Sequence, residues 1–338
     1  MALLDGATGA VAARIEVGML PHNLVLSPDG RVLYAVVVGS QAVAEIDVAE
    51  VRLRRTMLTS PVPDRREDGT IIQPHIDQAA FSHSTCYDCH RPDGAQPKYA
   101  GDRPFGLLLS PDGRHLYVSH LRSSRLAVLN LESGEIERSV VLEAAGTATE
   151  PVALAEMNDQ IWVALRPHQP STLPGALRRL DAPTLAPVGD DMPTGADPGA
   201  LLALPDRARV LVSNFETDTV SEHDDAGAVV TLAAAPGPLG LLALPNHQVL
   251  ALDYYSNAVS FLDFDAGTTR TLPLEYHGAP YVNPTHAALA SDGRSAWIVS
   301  SGTDGHLLEM NLTMQQIVRD VSIDGLSFGV AVVPGNLQ

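Results

Sequence analysis

The sequence predicts an all-β protein, and three observations carry that expectation. There is an internal repeat of forty-odd residues, the apolar runs are too short for helices, and turn residues separate them at regular intervals. The repeat is plainest in PHNLVLSPDGRVLYAVV from Pro21 and PFGLLLSPDGRHLYVSH from Pro104. Weaker copies start at Pro151, Pro198, Pro238 and Pro284, and a fragment, SFGVAVVPGN, starts at Ser327. The spacings are 83, 47, 47, 40, 46 and 43 residues, so only the first is abnormal.

Each copy reads as an apolar strand, a tight Ser-Pro-Asp-Gly turn or a relative of it, and a second apolar strand. A third strand such as LAVLNLESGE follows, then a fourth such as IERSVVL. Four short strands per repeat is the arithmetic of a propeller blade. The pattern resembles the YVTN-type β-propeller repeat family, whose hallmark is carried by Ser27 to Tyr34 and by Ser110 to Val118. The resemblance covers nearly the whole chain and implies a β-propeller, and counting the repeats makes it a seven-bladed one over 1–338. Six repeats are complete. The C-terminal fragment would supply an inner strand to a seventh blade, and ALLDGATGA and VAARIEV its third and fourth strands. The remaining strand of that blade would lie upstream, lie beyond Gln338, or be absent.

The 338 residues are 45% hydrophobic, enough for a large core, and the scarcity of aromatics makes that core mainly Val, Leu, Ala and Ile. A net charge of -18 argues against nucleic acid as a partner, because like charges repel. It could favour a basic redox partner protein, but simple solubility is the stronger reading of such a charge. No run reaches the roughly 18 apolar residues of a membrane helix, so no membrane span is expected. The N-terminal MALLDGATGAVAARIEVG has no basic, apolar and small-residue series of an export signal.

The abnormal spacing places a surplus of roughly forty residues between the first two repeats, at 60–103, a length that is usually functional. The surplus contains FSHSTCYDCHRPDG, with the chain's only two cysteines, Cys86 and Cys89, followed directly by His90. Cys-x-x-Cys-His is the attachment pattern of c-type haem: two thiols add to the vinyl groups, and the adjacent imidazole reaches the iron. The motif resembles bacterial cytochromes c, but only over some twenty residues, so the blades would have to complete the pocket. A redox-active thiol pair, or zinc held by Cys86, Cys89, His90 and a further residue such as His83 or His75, stays open.

In a propeller, the connection between blades emerges where the loops after second strands gather. Repeat position therefore assigns His22, Phe105, Leu239, His286 and Phe328 to the starts of inner strands. Gln41, His120, Arg122, Arg166, His168, Asn214, Asp253, Tyr254, Tyr255 and Ser301 fall in the loops, and His277 and Tyr281 just before the sixth repeat. If His83, His75 or Met57 takes the sixth iron position, the site suits electron transfer. If none does, His120 and His286 are candidate acid/base residues, Arg122 or Arg166 could stabilise an anion, and Tyr254 is a further catalytic candidate. A second metal on His22, His120 and His286 is a further expectation.

The expected protein is thus a haem-c oxidoreductase with one covalent haem per chain, held by Cys86, Cys89, His90 and His83, acting on a small-molecule substrate or oxidant at the channel mouth. Related propellers in haem-containing nitrite reductases and amine dehydrogenases point the same way. The alternative is a non-catalytic electron-transfer cytochrome that uses the propeller to dock its partner. Covalent haem attachment outside the bacterial cytoplasm implies a periplasmic or secreted protein whose signal has been cut away.

Overall fold

The computed structural model describes residues 1–18, 20–59, 103–144, 148–167, 172–302, 304–323, 325 and 327–333. Its described regular structure is almost entirely β. The chain divides into two compact units, Met1–Ser139 and Val140–Asn336.

The first unit opens with a two-stranded sheet, β1 (Ala2–Leu4) and β2 (Val11–Arg14). A four-stranded meander follows: β3 (Pro21–Leu26), β4 (Val32–Val37), β5 (Ala42–Asp47) and β6 (Arg52–Leu58). The second meander is β7 (Pro104–Leu109), β8 (His115–His120), β9 (Arg125–Asn130) and β10 (Ile136–Val141), whose end leads into the second unit. Tyr34, Val36, Val43 and Met57 of one sheet pack against Leu116, Val118 and Leu129 of the other.

The second unit repeats the plan. Its third blade is β11 (Thr149–Met157), β12 (Gln160–Pro167), β13 (Pro174–Asp181) and β14 (Met192–Ala196). The fourth is β15 (Pro198–Leu204), β16 (Arg209–Asn214), β17 (Thr219–His223) and β18 (Val229–Ala233). The fifth is β19 (Pro238–Ala243), β20 (Val249–Asp253), β21 (Ala258–Asp263) and β22 (Thr268–Pro273). A short hairpin, β23 (Glu275–Tyr276) with β24 (Ala279–Pro280), leads to the sixth: β25 (Pro284–Leu289), β26 (Ser295–Ser300), β27 (His306–Asn311) and β28 (Gln316–Ser322). Neighbouring blades share cores, as where Leu250, Leu252 and Phe261 meet Ile298, Leu308 and Met310.

The strand types follow from the sequence. Second strands such as VLYAVV are covered on both faces and read as continuous apolar runs, whereas the outer β10, IERSVV, alternates between half-buried and exposed. The Ser-Pro-Asp-Gly turn holds itself together. Ser27 Oγ donates to Asp29 Oδ1 (2.6 Å), the Arg31 N–H donates to the same carboxylate (3.1 Å), and the Val32 N–H donates to Ser27 Oγ (2.9 Å). Gly30 takes the left-handed position at φ 72°. Ser110 and Asp112 repeat the pattern.

One expectation is corrected. Six four-stranded sheets are present among the described residues, not seven. β1 and β2 pair only with each other, and 327–333 form no strand. Those C-terminal residues are instead tied to the sixth blade through side chains: Thr285 Oγ1 donates to the Phe328 carbonyl (3.0 Å), and Ser301 Oγ to the Ser327 carbonyl.

Candidate functional site

Every inner strand carries the same device at or near its start. In five blades the proline that starts the repeat faces the last residue of the second strand: Pro21 faces Val37, Pro104 faces His120, Pro198 faces Asn214, Pro238 faces Asp253, and Pro284 faces Ser300. In the third blade the ladder starts two residues earlier and Pro151 faces Leu165. Proline lacks an N–H, so it suits this edge position. In all six blades the register slips just after the proline. Such a bulge re-aims the residues it contains. His22, Phe105, Leu239 and His286 all lie in these bulges. Two serines satisfy the freed backbone: Ser119 Oγ accepts from the Gly106 N–H and Ser213 Oγ from the Ala200 N–H, each at 2.8 Å.

The residue before the proline is left-handed in five blades: Leu20 (φ 55°), Arg103 (55°), Asp197 (51°), Gly237 (77°) and Asn283 (53°). Only glycine adopts that region without strain. The carbonyl of each accepts a backbone hydrogen bond at 2.7–3.0 Å from Val38, Leu121, Phe215, Tyr254 and Ser301 respectively. These five residues, and the next ones along, therefore occupy equivalent stations. Arg122, Glu216 and Tyr255 share one such station.

In the first unit this end carries His22, Phe105, His120 and Arg122. The His22 and Phe105 rings are 4.4 Å apart, and Asn23 Nδ2 donates to the Phe105 carbonyl (2.7 Å). His120 is wholly buried and Arg122 half-buried. The two stems of the 60–102 segment are fastened here. Thr59, 1% exposed, donates its N–H and hydroxyl to the Gln41 carbonyl (both 3.1 Å), and Arg125 Nη2 donates to the Thr59 carbonyl (3.0 Å). Arg103 accepts from Leu121. The segment thus leaves and re-enters where the loops after the second strands lie. Cys86, Cys89, His90, His83, His75 and His168 themselves fall outside the described residues.

In the second unit, Arg166 Nε bonds Glu150 Oε2 (2.6 Å) and Nη1 bonds Asp197 Oδ1 (3.0 Å), with all three residues buried. Burial opposes the Arg166 charge, but the two carboxylates outweigh it and hold the guanidinium above its usual range. Asp253 is wholly buried; Ser260 Oγ donates to its Oδ2 (2.7 Å), and its Oδ1 has no hydrogen-bond partner among the described residues. Burial pushes its carboxyl up to about 8, so it is neutral at pH 7. Tyr254 is nearly buried, its ring 5.9 Å from Phe215 and 5.7 Å from Tyr255. Burial pushes the His286 imidazole down to about 4, against a hydrogen bond to the Phe328 backbone.

One expectation changes. Met57, offered above as an iron ligand, is a core residue, 3% exposed between Val36, Val43 and Leu129. Among the described residues no three His, Cys, Asp or Glu side chains form a group that could hold a metal ion. The pre-proline acids Glu150 and Asp197 and the bulge serines Ser119 and Ser213 were not foreseen. Their signal is positional: they lie immediately before the repeat's proline or one residue before the end of its second strand.

These blades define a β-propeller repeat protein, and comparison with known proteins agrees. The chain is 25% identical over 158 residues to the seven-bladed beta-propeller protein Rv1057 of Mycobacterium tuberculosis (strain ATCC 25618 / H37Rv), a match covering 45% of this chain. That match spans only 37% of the relative's own length. Among solved structures it resembles Kuenenia stuttgartiensis hydrazine synthase (TM-score 0.65, 14% identity, 90% of this chain and 87% of that one). It also resembles the selenomethionine-substituted virginiamycin B lyase of Staphylococcus aureus (0.61, 12% identity, 90% and 84%). These likenesses show the fold. No family model matches the sequence.

Proposed function

We propose that the chain is a haem-c oxidoreductase, with one covalent haem carried by the 60–103 insertion and its substrate or oxidant met at the loop-bearing end of the blades. One observation carries the reading: the only Cys-x-x-Cys-His of the chain lies between two stems, Thr59 and Arg103, fastened beside Gln41, His120 and Arg122. Cys86 and Cys89 would hold the porphyrin and His90 the iron, with His83 the nearest candidate for the opposite side. When bound, the group supplies a one-electron redox centre. Hydrazine synthase and virginiamycin B lyase are enzymes by name, which supports catalysis on this fold in general and transfers no residue.

The chain's own residues would divide the remaining work. Arg122 is a half-buried cation at this end of the first unit, suited to holding an anionic substrate or developing negative charge. His286, neutral above about pH 4, is a weak base and serves better as a hydrogen-bonding group than as a proton shuttle. His120 is enclosed. Tyr254 contributes an apolar wall. A periplasmic or secreted location belongs to this reading, because covalent haem attachment takes place outside the bacterial cytoplasm.

The weak basicity of His286 and the enclosure of His120 favour one second reading, an electron carrier that docks a redox partner. The test is co-expression with a cytochrome c maturation system. The expected product carries one porphyrin per chain, resistant to acid-acetone extraction, and Cys86→Ser with Cys89→Ser abolishes the attachment. Carbon monoxide binding by the ferrous protein supports the enzyme, and indifference to it supports the carrier. A matured protein without porphyrin mass removes both.

A further inference from the structure

Four of the chain's eight tyrosines, Tyr254, Tyr255, Tyr276 and Tyr281, fall within 28 residues of a sequence that is only 5% aromatic. Tyr255 is the most exposed large apolar side chain among them, at 52%, although its neighbours Phe215 and Tyr254 are buried at 5% and 9%. Its ring is held from behind. Phe215 lies 4.7 Å away, centroid to centroid, and Tyr254 meets its edge at 5.7 Å. Gly237, at φ 77°, forms the floor: a Cβ there would stand 2.9 Å from the Tyr255 ring and backbone nitrogen. The ring is therefore oriented before anything binds, and the entropy of ordering it is already spent.

The surroundings are acidic. The Tyr255 hydroxyl donates to Glu216 Oε1 at 3.5 Å, and Glu216 is itself part-exposed. Burial first, then the charges of Glu216 and Asp197, push the Tyr255 phenol up to about 12. A field that penalises a phenolate favours a cation. Arg166, the buried cation of this unit's loop end, is shared between two carboxylates and leaves that field negative.

We infer that Tyr255 and Glu216 form a docking station for an arginine side chain on a basic protein partner. A guanidinium stacks flat on a tyrosine face while its N–H fork meets a carboxylate, which a compact ammonium does less well. A protruding ring, unlike a concave pocket, suits a protein surface more than a small molecule. The chain's net charge of -18 steers such a partner from a distance. The inference is independent of the haem, so the unmatured chain suffices to test it.

The probe is a fluorescein-labelled peptide of alternating glycine and arginine, followed by anisotropy at low ionic strength. Its citrulline counterpart has the same shape without charge. Tyr255→Ala should weaken arginine-peptide binding about tenfold and Glu216→Gln about threefold, while Tyr255→Phe stays within about twofold of the parent. The citrulline peptide should not bind. Asp292→Asn removes one exposed charge elsewhere and should change little. If Tyr255→Ala and Glu216→Gln, folded by circular dichroism, bind like the parent, or if Asp292→Asn weakens binding as much, diffuse charge attraction explains the binding and the station is overturned.

Discussion

Arg166 joins Asp197 across two blades. Its Nη1 lies 3.0 Å from the carboxylate of the fourth blade's pre-proline residue, while its Nε holds Glu150 of its own blade at 2.6 Å. Both acids precede the proline of an inner strand, so one guanidinium fastens the starts of two neighbouring repeats. Replacing Arg166 by alanine leaves two buried carboxylates without their cation. The expected loss is about 3–5 kcal/mol, read from urea unfolding. An unchanged midpoint would mean the triad contributes nothing.

Asp253 makes stability depend on pH. Its carboxyl titrates near 3.8 when unfolded and about 8 when folded, so between those values the folded state holds more protons. Stability contributed by the neutral acid is complete below about pH 4 and falls as pH rises through about 8, by at most about 1.4 kcal/mol per unit. Asp253→Asn keeps the shape and removes the proton. Its melting temperature should fall less than the parent's between pH 6 and pH 9, at roughly constant ionic strength. Parallel curves would refute the assignment.

Ser213 has two duties: its hydroxyl accepts from the Ala200 N–H at 2.8 Å and donates to the Leu239 carbonyl of the next blade at 3.1 Å. Ser213→Ala should cost about 1–3 kcal/mol by chemical denaturation, because a bulge N–H loses its acceptor. Faster hydrogen exchange at Ala200 would locate the loss.

Gly240 lies where the fifth and sixth blades come closest. An added methyl would overlap the Thr285 carbonyl oxygen and approach the Leu252 side chain to 2.9 Å. Gly240→Ala should therefore destabilise by about 1–3 kcal/mol, visible as a lower melting temperature. Gly267→Ala offers a control, since nothing lies within 4 Å of its added methyl, although its φ of 66° brings local strain.

Much of this was legible from the chain. The proline spacing gave the first residue of five inner strands, and SPDG gave the turns, because both are local chemistry repeated at a fixed interval. Repeat counting also placed Tyr254, Tyr255 and Arg122 correctly at loop stations. His120, Arg166, Asn214 and Asp253, expected in those loops, lie at or near the ends of the second strands, because the ladder runs on to pair with the repeat's first residues. The left-handed residues were not legible, since Leu20, Arg103, Asp197 and Asn283 share no side-chain property that announces a positive φ. Nor was the Arg166 triad, whose partners are 16 and 31 residues away and meet only once the blades have packed. The seventh blade was over-read: SFGVAVV is apolar enough for a strand, but its described residues hold the sixth blade through Thr285 and Ser301 instead of joining a ladder.

The stems at Thr59 and Arg103 have a wider consequence. Each is secured by bonds to residues of the blades and the loops after their second strands: Thr59 to Gln41 and Arg125, and Arg103 to Leu121. The scaffold thus behaves as a socket. A change in length between Thr59 and Arg103 should therefore leave these anchoring bonds in place, because their partners lie outside the segment.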